Sequence, residues 1–420
     1  MIKNNLKNLL FEIGEKAKAA SYKLSNVDIK KRNEAIKNIA TQIKNFSEDL
    51  INENLKDIEI AKKHKLANPL INRLTLDKSN IQNIANSLEE IVGLKNPIGK
   101  IISEWKRPNG LHIQKISVPI GVLGIIYESR PNVTVDAAAI SIKSGNAVIL
   151  RGGKDSFFTS KKFFEIINNA ILEKDIPNHS VQMIPVPDRD AVNEMIKLDS
   201  FIDVIIPRGG RGLIEKIKAN STIPVIKHLD GICHIYIDED ANLEIAKKVL
   251  FNSKMRKTSI CGAAETLLIH KKHADKILEI LKELKNAKCE IRGDNFISKL
   301  DSSFILASEK DWDTEYLDKI ISVKLVNNCS DAVNHINTHS SHHTDSIITN
   351  NQNTSNTFFQ NVDSAIVLQN ASTQFADGGE FGFGAEIGIS TNKLHVRGPV
   401  GPEHLTSFKY VVRGNGQVRP

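Results

Sequence analysis

The sequence predicts an α/β protein built on a doubly wound parallel sheet. Two observations carry this. From Pro119 onward, short apolar runs of strand length alternate with longer amphipathic stretches of helix length. The short runs are apolar throughout rather than every second residue, as in strands covered on both faces. A third observation sets the scale: 420 residues provide for two or three domains, each with its own core.

In chain order, residues 1–95 read as helices, with apolar residues three and four apart at Leu6, Leu9, Leu10 and Ile13, then Ile36, Ile39, Ala40 and Ile43. Arg107-Pro108-Asn109-Gly110 breaks this pattern between "IISEW" and "LHIQKISV", which alternate like strands, so a β-hairpin is expected. It is either an oligomer contact or an ordinary surface hairpin. "GVLGIIY" is a buried strand, and "TVDAAAISIKSG" a helix ending at Gly145. "NAVILRGG", "VQMIPV" and "IDVIIPRGG" continue as strands, with helices at "DSFFTSKKFFEIINNAILEK", "RDAVNEMIKL" and "GLIEKIKAN". "IPVIKH" leads into the strand "GICHIYID", which opens a further unit. The helix "NLEIAKKVLFNSK", the strand "ETLLIH" and more βα alternation carry this unit to about residue 350. The polar stretch "NNQNTSNTF" is expected to be a loop, and "GNGQ" near the C-terminus a hairpin turn.

Hydrophobic residues make up 40% and charged residues 25%, the balance of an ordinary globular chain. No apolar run reaches the length of a membrane span. The N-terminus, with Glu12 and Glu15 inside its apolar periodicity, reads as an amphipathic helix rather than a cleaved signal. Cys233, Cys261, Cys289 and Cys329 have no CxxC spacing, which suits reduced thiols and a cytoplasmic protein. Net charge is +7, but lysines are spread along the chain and only 5% of residues are aromatic. That argues against a nucleic-acid partner and for an anionic small molecule.

Three basic loops, two of them glycine-rich, sit at strand ends, where open α/β sheets bind ligands. They hold Arg130 and Asn132; Arg151, Gly152, Gly153 and Lys154; and Arg208, Gly209, Gly210 and Arg211. Each alone reads more readily as a plain turn. Together they point to a phosphate-bearing cofactor. Cys261 stands between the basic Arg256-Lys257 and the small Gly262-Ala263. Positive charge favours a thiolate, and small neighbours leave room for attack. A buried packing role is the ordinary reading of a single cysteine, and both stay open from the residues alone. "HINTHSSHHTDS" brings His335, His339, His342 and His343 together without the Cys or Glu that would complete a metal site, so no metal is expected, and a polar loop is the simplest reading. "DGGEFGFGAEIGIS" has five glycines among apolar residues, as at a domain seam.

The stretches "VPIGVLGIIYESRPNVTVDAA", "SGNAVILRGGKD", "NSKMRKTSICGAAETLL", "SSHHTDSIIT" and "NASTQFADGGEFGFGAEIGISTNKLHVRGPVGPEHLTSFKYVVRGNGQ" resemble the γ-glutamyl phosphate reductases, or glutamate-5-semialdehyde dehydrogenases, of the aldehyde dehydrogenase superfamily. The resemblance runs from about Leu6 to the C-terminus. It implies two doubly wound, Rossmann-like α/β domains plus a small oligomerisation β-hairpin or flap. Residues 1–103 with 119–227 and about 362–390 would bind the cofactor, 228–361 would carry the nucleophile, and 104–118 with 391–420 would supply oligomerisation strands. It further implies Cys261 as nucleophile and Asn132 as oxyanion donor. Arg151 takes the place of the superfamily's cofactor-ribose lysine and Glu315 falls on its nicotinamide-side glutamate. Gly152, Lys154, Arg208, Gly209 and Gly210 would complete the cofactor site, and Arg130, Arg256, Lys257 and His228 would face the substrate.

The implied reaction is NADPH-dependent reduction of L-glutamyl 5-phosphate to L-glutamate 5-semialdehyde and phosphate, the second step of proline biosynthesis from glutamate. The implied setting is a cytoplasmic homo-oligomer, with a glutamate kinase as a possible partner. The alternative is an NAD-dependent hydrolytic aldehyde dehydrogenase. Against it, "HLDGICHI" places His228 where hydrolytic enzymes carry a water-activating glutamate. Lys257-Thr258 and Gly262 also depart from the Arg-Pro and Asn that some family members carry around the cysteine.

Overall fold

The computed structural model describes residues 2–66, 68–128, 130–227 and 230–419. The chain divides into two compact units, residues 1–227 with 382–388 and 400–420, and residues 228–381 with 389–399.

The first unit opens with helices α1 (Ile2–Leu24), α2 (Ile29–Asn45), α3 (Ser47–Lys63), α4 (Asn68–Leu74) and α5 (Lys78–Gly93). Next comes the expected hairpin, β1 (Ile101–Lys106) and β2 (His112–Pro119), paired antiparallel. The alternating region follows as β3 (Val122–Tyr127), α6 (Asn132–Lys143), β4 (Ala147–Arg151), α7 (Phe157–Leu172), β5 (Val181–Met183), α8 (Arg189–Met195), β6 (Val204–Arg208) and α9 (Arg211–Asn220). Gly145, at φ +71, closes the end of α6 in the left-handed conformation that suits glycine. The four strands are parallel in the order β5-β4-β3-β6. The chain builds outward from β3 through β4 to β5, then returns to place β6 on the other side of β3. The topological switch point therefore lies between β3 and β6. Val122, Ile126, Ile149 and Ile205 of this sheet share a core with Leu10 and Ala17 of α1 and Ala191 and Met195 of α8.

The second unit holds β7 (Cys233–Ile237), α10 (Leu243–Met255), β8 (Ala264–His270), α11 (Ile277–Asn286), β9 (Glu290–Gly293), β10 (Ile305–Leu306), β11 (Ile320–Val326), α12 (Cys329–His339), β12 (Thr344–Ile348), α13 (Gln352–Asn361), β13 (Ile366–Gln369), β14 (Ile389–Ser390) and β15 (Gly398–Pro399). Seven strands form a parallel sheet in the order β10-β9-β11-β8-β7-β12-β13. Side chains alternate across it. Ile235, Ile237, Leu267 and Ile269 pack with Ala246 and Leu250 of α10 and Ile277, Ile280 and Leu281 of α11. Tyr236, Leu268 and Ile347 pack with Ala332, Val333 and Ile336 of α12 and Phe358 of α13. Helices thus cover both faces, which is why the strands read as continuous apolar runs.

The last strand, β16 (Thr406–Arg413), returns to the first unit and pairs antiparallel along β2, completing a three-stranded sheet β1-β2-β16.

Four expectations need correction. β13 pairs with β12, so residues 362–381 belong with the second unit's sheet, not with the first unit. Residues 391–399 also lie in the second unit, where β15 pairs with β14, rather than among the hairpin strands. "NNQNTSNTF" is not a loop but the bulk of α13. Asn351 caps that helix by accepting from the N–H groups of Asn353 and Thr354, and Phe358 buries its apolar face. "GNGQ" follows the last described strand, with no partner strand after it among the described residues.

Candidate active site

In the first unit the predicted loops lie at the carboxyl ends of the parallel strands. The Glu128 N–H donates to the Arg208 carbonyl at 3.0 Å, which ties the ends of β3 and β6 together at the switch point. A carboxylate oxygen of Glu128 accepts from the Gly210 N–H at the head of α9, at 3.0 Å. A Cβ on Gly209 would stand 2.5 Å from that same oxygen. The Glu128 carboxylate thus takes up the N-terminus of α9, where a negative charge is favoured. Arg208 is half-buried and packs its guanidinium against Gly388.

Arg151 ends β4 only 6% exposed. Its Nη2 donates to the carbonyls of Pro187 and Asp188, at 2.9 and 3.0 Å. One arm of the guanidinium is thus committed within the unit. Its buried Nε has no hydrogen-bond partner among the described residues. Burial lowers the pKa of this guanidinium. Gly152 lies against the Tyr127 ring, where a Cβ would stand at 3.2 Å. Lys154 is exposed at the start of a short 3-10 turn, and Arg130 is exposed in the β3–α6 loop.

Asn132 is the first residue of α6. Its amide Nδ2 donates to Asp136 Oδ2, one turn on, at 3.1 Å. An amide nitrogen carries two donors, so this bond orients the group and uses one of them. Burial pushes the Asp136 carboxyl up to about 6.

In the second unit the candidate residues lie at the opposite ends of the strands. Cys261 is half-buried in the loop between α10 and β8, at the amino edge of the sheet. It packs beside the small apolar cluster of Ile366, Ala376 and Ile389. Its carbonyl accepts from the Cys233 thiol, Sγ to O 3.1 Å. Full burial raises the Cys233 thiol well above its ordinary range, so it stays a neutral donor. Gly231 approaches so closely that a Cβ would lie 2.1 Å from the Cys261 carbonyl oxygen. Only glycine fits there. Glu315 accepts from the Gly231 N–H at 2.8 Å, and desolvation raises its carboxyl. Its observed contact is thus with the segment that leads into β7 and abuts the cysteine.

Beneath the loop, Lys254 and Glu265 form an ion pair at 2.5 Å with both side chains fully buried. Burial pushes Glu265 up to about 7 against the pull of Lys254. Arg256 and Lys257 are both exposed, and an Arg256 Nη1 donates to the Gln374 Oε1 at 3.2 Å. His228 lies outside the described residues.

The histidine run is the expected loop only in part, since His342 and His343 lie between α12 and β12 while the earlier pair is helical. His335 and His339 sit on α12 with rings 4.5 Å apart, and His339 pairs with Asp313. His343 is fully buried 3.7 Å from Cys233 Sγ, and burial lowers its imidazole to about 4. Ser340 and Ser364 donate to Asp345, and Ser341 accepts from the Ile232 N–H. This run braces the approach to β7. Among the described residues no group of three His, Cys, Asp or Glu is placed to hold a metal ion. No described helix is long and apolar enough to cross a membrane.

The sequence did not reveal what holds the Cys261 loop. Ser253, Thr373 and Gln374 all bond to it or flank it, and only the polar, buried character of "STQ" beside a glycine-rich stretch hinted at them.

Residues 10–295 match the aldehyde dehydrogenase family. The chain is 48% identical to the γ-glutamyl phosphate reductase of Paramagnetospirillum magneticum, over the whole of both chains. It is 49% identical to that of Brucella suis biovar 1, covering 99% of each. The crystal structure of the γ-glutamyl phosphate reductase of Thermotoga maritima superposes with a TM-score of 0.96 at 42% identity, covering 98% of this chain and all of that one.

Proposed function

The chain belongs to the γ-glutamyl phosphate reductases of the aldehyde dehydrogenase family, oxidoreductases of proline biosynthesis, and we propose that it reduces L-glutamyl 5-phosphate to L-glutamate 5-semialdehyde with NADPH, through a thioester on Cys261. One observation carries this reading: Cys261 is a half-buried thiol on a loop whose backbone is fixed from several sides, whereas Cys233 and Cys289 are buried and the half-buried Cys329 opens α12. A fixed, partly open thiol suits attack on a carbon.

The Sγ of Cys261 attacks the acyl carbon. A C–S bond forms, the C–O bond to phosphate breaks, and phosphate leaves with the electron pair. The nicotinamide cofactor, when bound, supplies the hydride that brings this carbon to the aldehyde level. The Asn132 amide, oriented by Asp136, and the Cys261 N–H hold the oxyanion, at roughly 3 kcal/mol per donor. The tetrahedral carbon then breaks its bond to sulfur, returns the electron pair to Cys261 and releases the semialdehyde.

Gly209 and Gly210 with Arg208, Gly152 with Arg151, and Lys154 would hold cofactor phosphates, with Glu315 on the nicotinamide side. Arg130, Arg256, Lys257 and His228 would meet the carboxylate and phosphate of the substrate. The sheet β1-β2-β16 exposes Ile101, Ile102, Trp105, Phe408, Tyr410 and Val412, which suits a homo-oligomer. A cytoplasmic location and a glutamate kinase supplying the labile acyl phosphate complete the reading.

The test is the reverse reaction: glutamate 5-semialdehyde should reduce NADP only when phosphate or arsenate is present. Sustained NADPH formation in phosphate-free buffer, with glutamate as product, would restore the hydrolytic alternative. His228→Gln should raise the phosphate requirement, and lost stability with an unchanged requirement would make His228 structural.

A further inference from the structure

Ser372, Thr373 and Gln374 follow β13 in a single tight turn and are almost wholly buried, at 5%, 0% and 6% exposure. Their polar atoms are spent on the segment that carries Cys261. The Gln374 Nε2 donates to the Ser253 carbonyl at 2.7 Å and to the Lys257 carbonyl at 3.3 Å. Its Oε1 accepts from Arg256. The Thr373 hydroxyl donates to the Gly262 carbonyl at 2.7 Å, and its backbone N–H donates to Ser253 Oγ at 3.1 Å. A Cβ on Gly262 would lie 3.1 Å from the Thr373 carbonyl, so the two backbones touch.

Ser253 lies in the last turn of α10, where carbonyls lack partners within the helix. Gln374 meets that need and reaches on to Lys257, using both amide donors and the acceptor. Two of the bonded carbonyls precede Cys261 and one follows it. Residues 256–263 form no helix or strand, so side chains more than a hundred residues away hold the loop's peptide planes.

We propose that Thr373 and Gln374 are positioning residues for Cys261. They fix the backbone on both sides of the thiol, so that its Sγ and its N–H keep one geometry through acyl transfer. The inference rests on the reading of Cys261 as the nucleophile. Misplacing a reacting group by about an ångström lowers rates by up to about a hundredfold.

The experiment compares Thr373→Val, which keeps the shape and loses the hydroxyl, with Thr373→Ser, which restores it. Gln374→Glu keeps the acceptor toward Arg256 and removes the donor toward the two carbonyls. Rates are referred to the amount of Cys261 that iodoacetamide titrates in the native protein, so unfolded molecules do not count. Thr373→Val and Gln374→Glu should each lower kcat about tenfold or more, with cofactor KM within about twofold, and Thr373→Ser should recover most of the loss. Wild-type kcat per titrated thiol in both variants, even with a lowered melting temperature, would overturn the positioning role. Cys261→Ala, run alongside, separates the two readings. If it keeps turnover, the nucleophile assignment falls and this inference with it. If it is inactive while the two variants match wild type, only the positioning role falls.

Discussion

The two units use the same architecture and offer opposite edges of it. In the first, charged loops stand at the carboxyl ends of β3, β4 and β6, near the N-terminus of α9, and much of this edge is exposed. In the second, Cys261, Gly231 and Glu315 stand at the amino ends of β8, β7 and β11, in a dense network of buried bonds. Helix N-termini at carboxyl edges favour anions, and this edge mixes the exposed Lys154 with the buried, bonded Arg151. Covalent chemistry needs a thiol in one fixed place, and the second unit ties the carbonyls around Cys261 to buried side chains, as the proposed role requires. The first edge is thus suited to binding and the second to reacting. Substitutions should separate accordingly into effects on affinity and effects on turnover.

The largest effect is expected at the second edge. Cys261→Ala should lower turnover by about ten-thousandfold or more while NADPH binding, followed by fluorescence titration, stays near wild type. A loss of cofactor affinity of similar size would break the division between the units.

Ion pairs sharpen the contrast in stability. Lys254→Met should destabilise the protein by about 3–5 kcal/mol, because it strands the buried Glu265 carboxyl. Lys18–Asp203 in the first unit, at 26% and 30% exposure, should be worth about 1 kcal/mol or less. Urea denaturation of Lys254→Met and Lys18→Met measures both, and similar midpoints for the two would contradict the difference in burial.

Asn132 is the expected exception, a first-unit residue that acts on chemistry. Asn132→Ala should lower kcat about a hundredfold with little change in cofactor affinity. A change confined to KM would return Asn132 to the binding edge. Arg151→Ala should weaken NADPH about tenfold and NADH much less, through loss of a charged hydrogen bond. Equal weakening of both would place the 2′-phosphate elsewhere, with the exposed Lys154 next in line.

The smallest effect concerns pH. The fold lowers the His343 imidazole from 6.5 to about 4, so between those values the unfolded chain binds more protons. This contribution is complete above pH 6.5 and fades as pH falls toward about 4. Thermal melts across that window should show wild type losing more stability than His343→Asn. Parallel curves would remove His343 as the cause.

Most strands were legible because burial on both faces leaves a continuous apolar run, as in "GVLGIIY" and "NAVILRGG". α13 was not, because only Ser355 and Phe358 are buried along a polar helix, and its cap, Asn351, looks like loop chemistry in sequence. Cys261 stood out only through family resemblance, since its local sequence also suited packing. The second unit's internal bonds were illegible for a different reason: Gln374 meets Ser253 across 121 residues and Thr373 meets Gly262 across 111. Local periodicity carries no trace of such pairs. The commitment of Arg151 to Pro187 and Asp188 was hidden in the same way.

In the proposed reaction Cys261 carries the acyl group, and phosphate, not water, receives it in the reverse direction. Peptide mass spectrometry tests this directly. The enzyme is mixed with glutamate 5-semialdehyde and NADP in phosphate-free buffer, quenched in acid and digested. A glutamyl thioester should accumulate on the peptide containing Cys261 and disappear within a turnover once phosphate is added. An unmodified Cys261 during turnover, or an adduct that discharges equally fast without phosphate, would contradict the account.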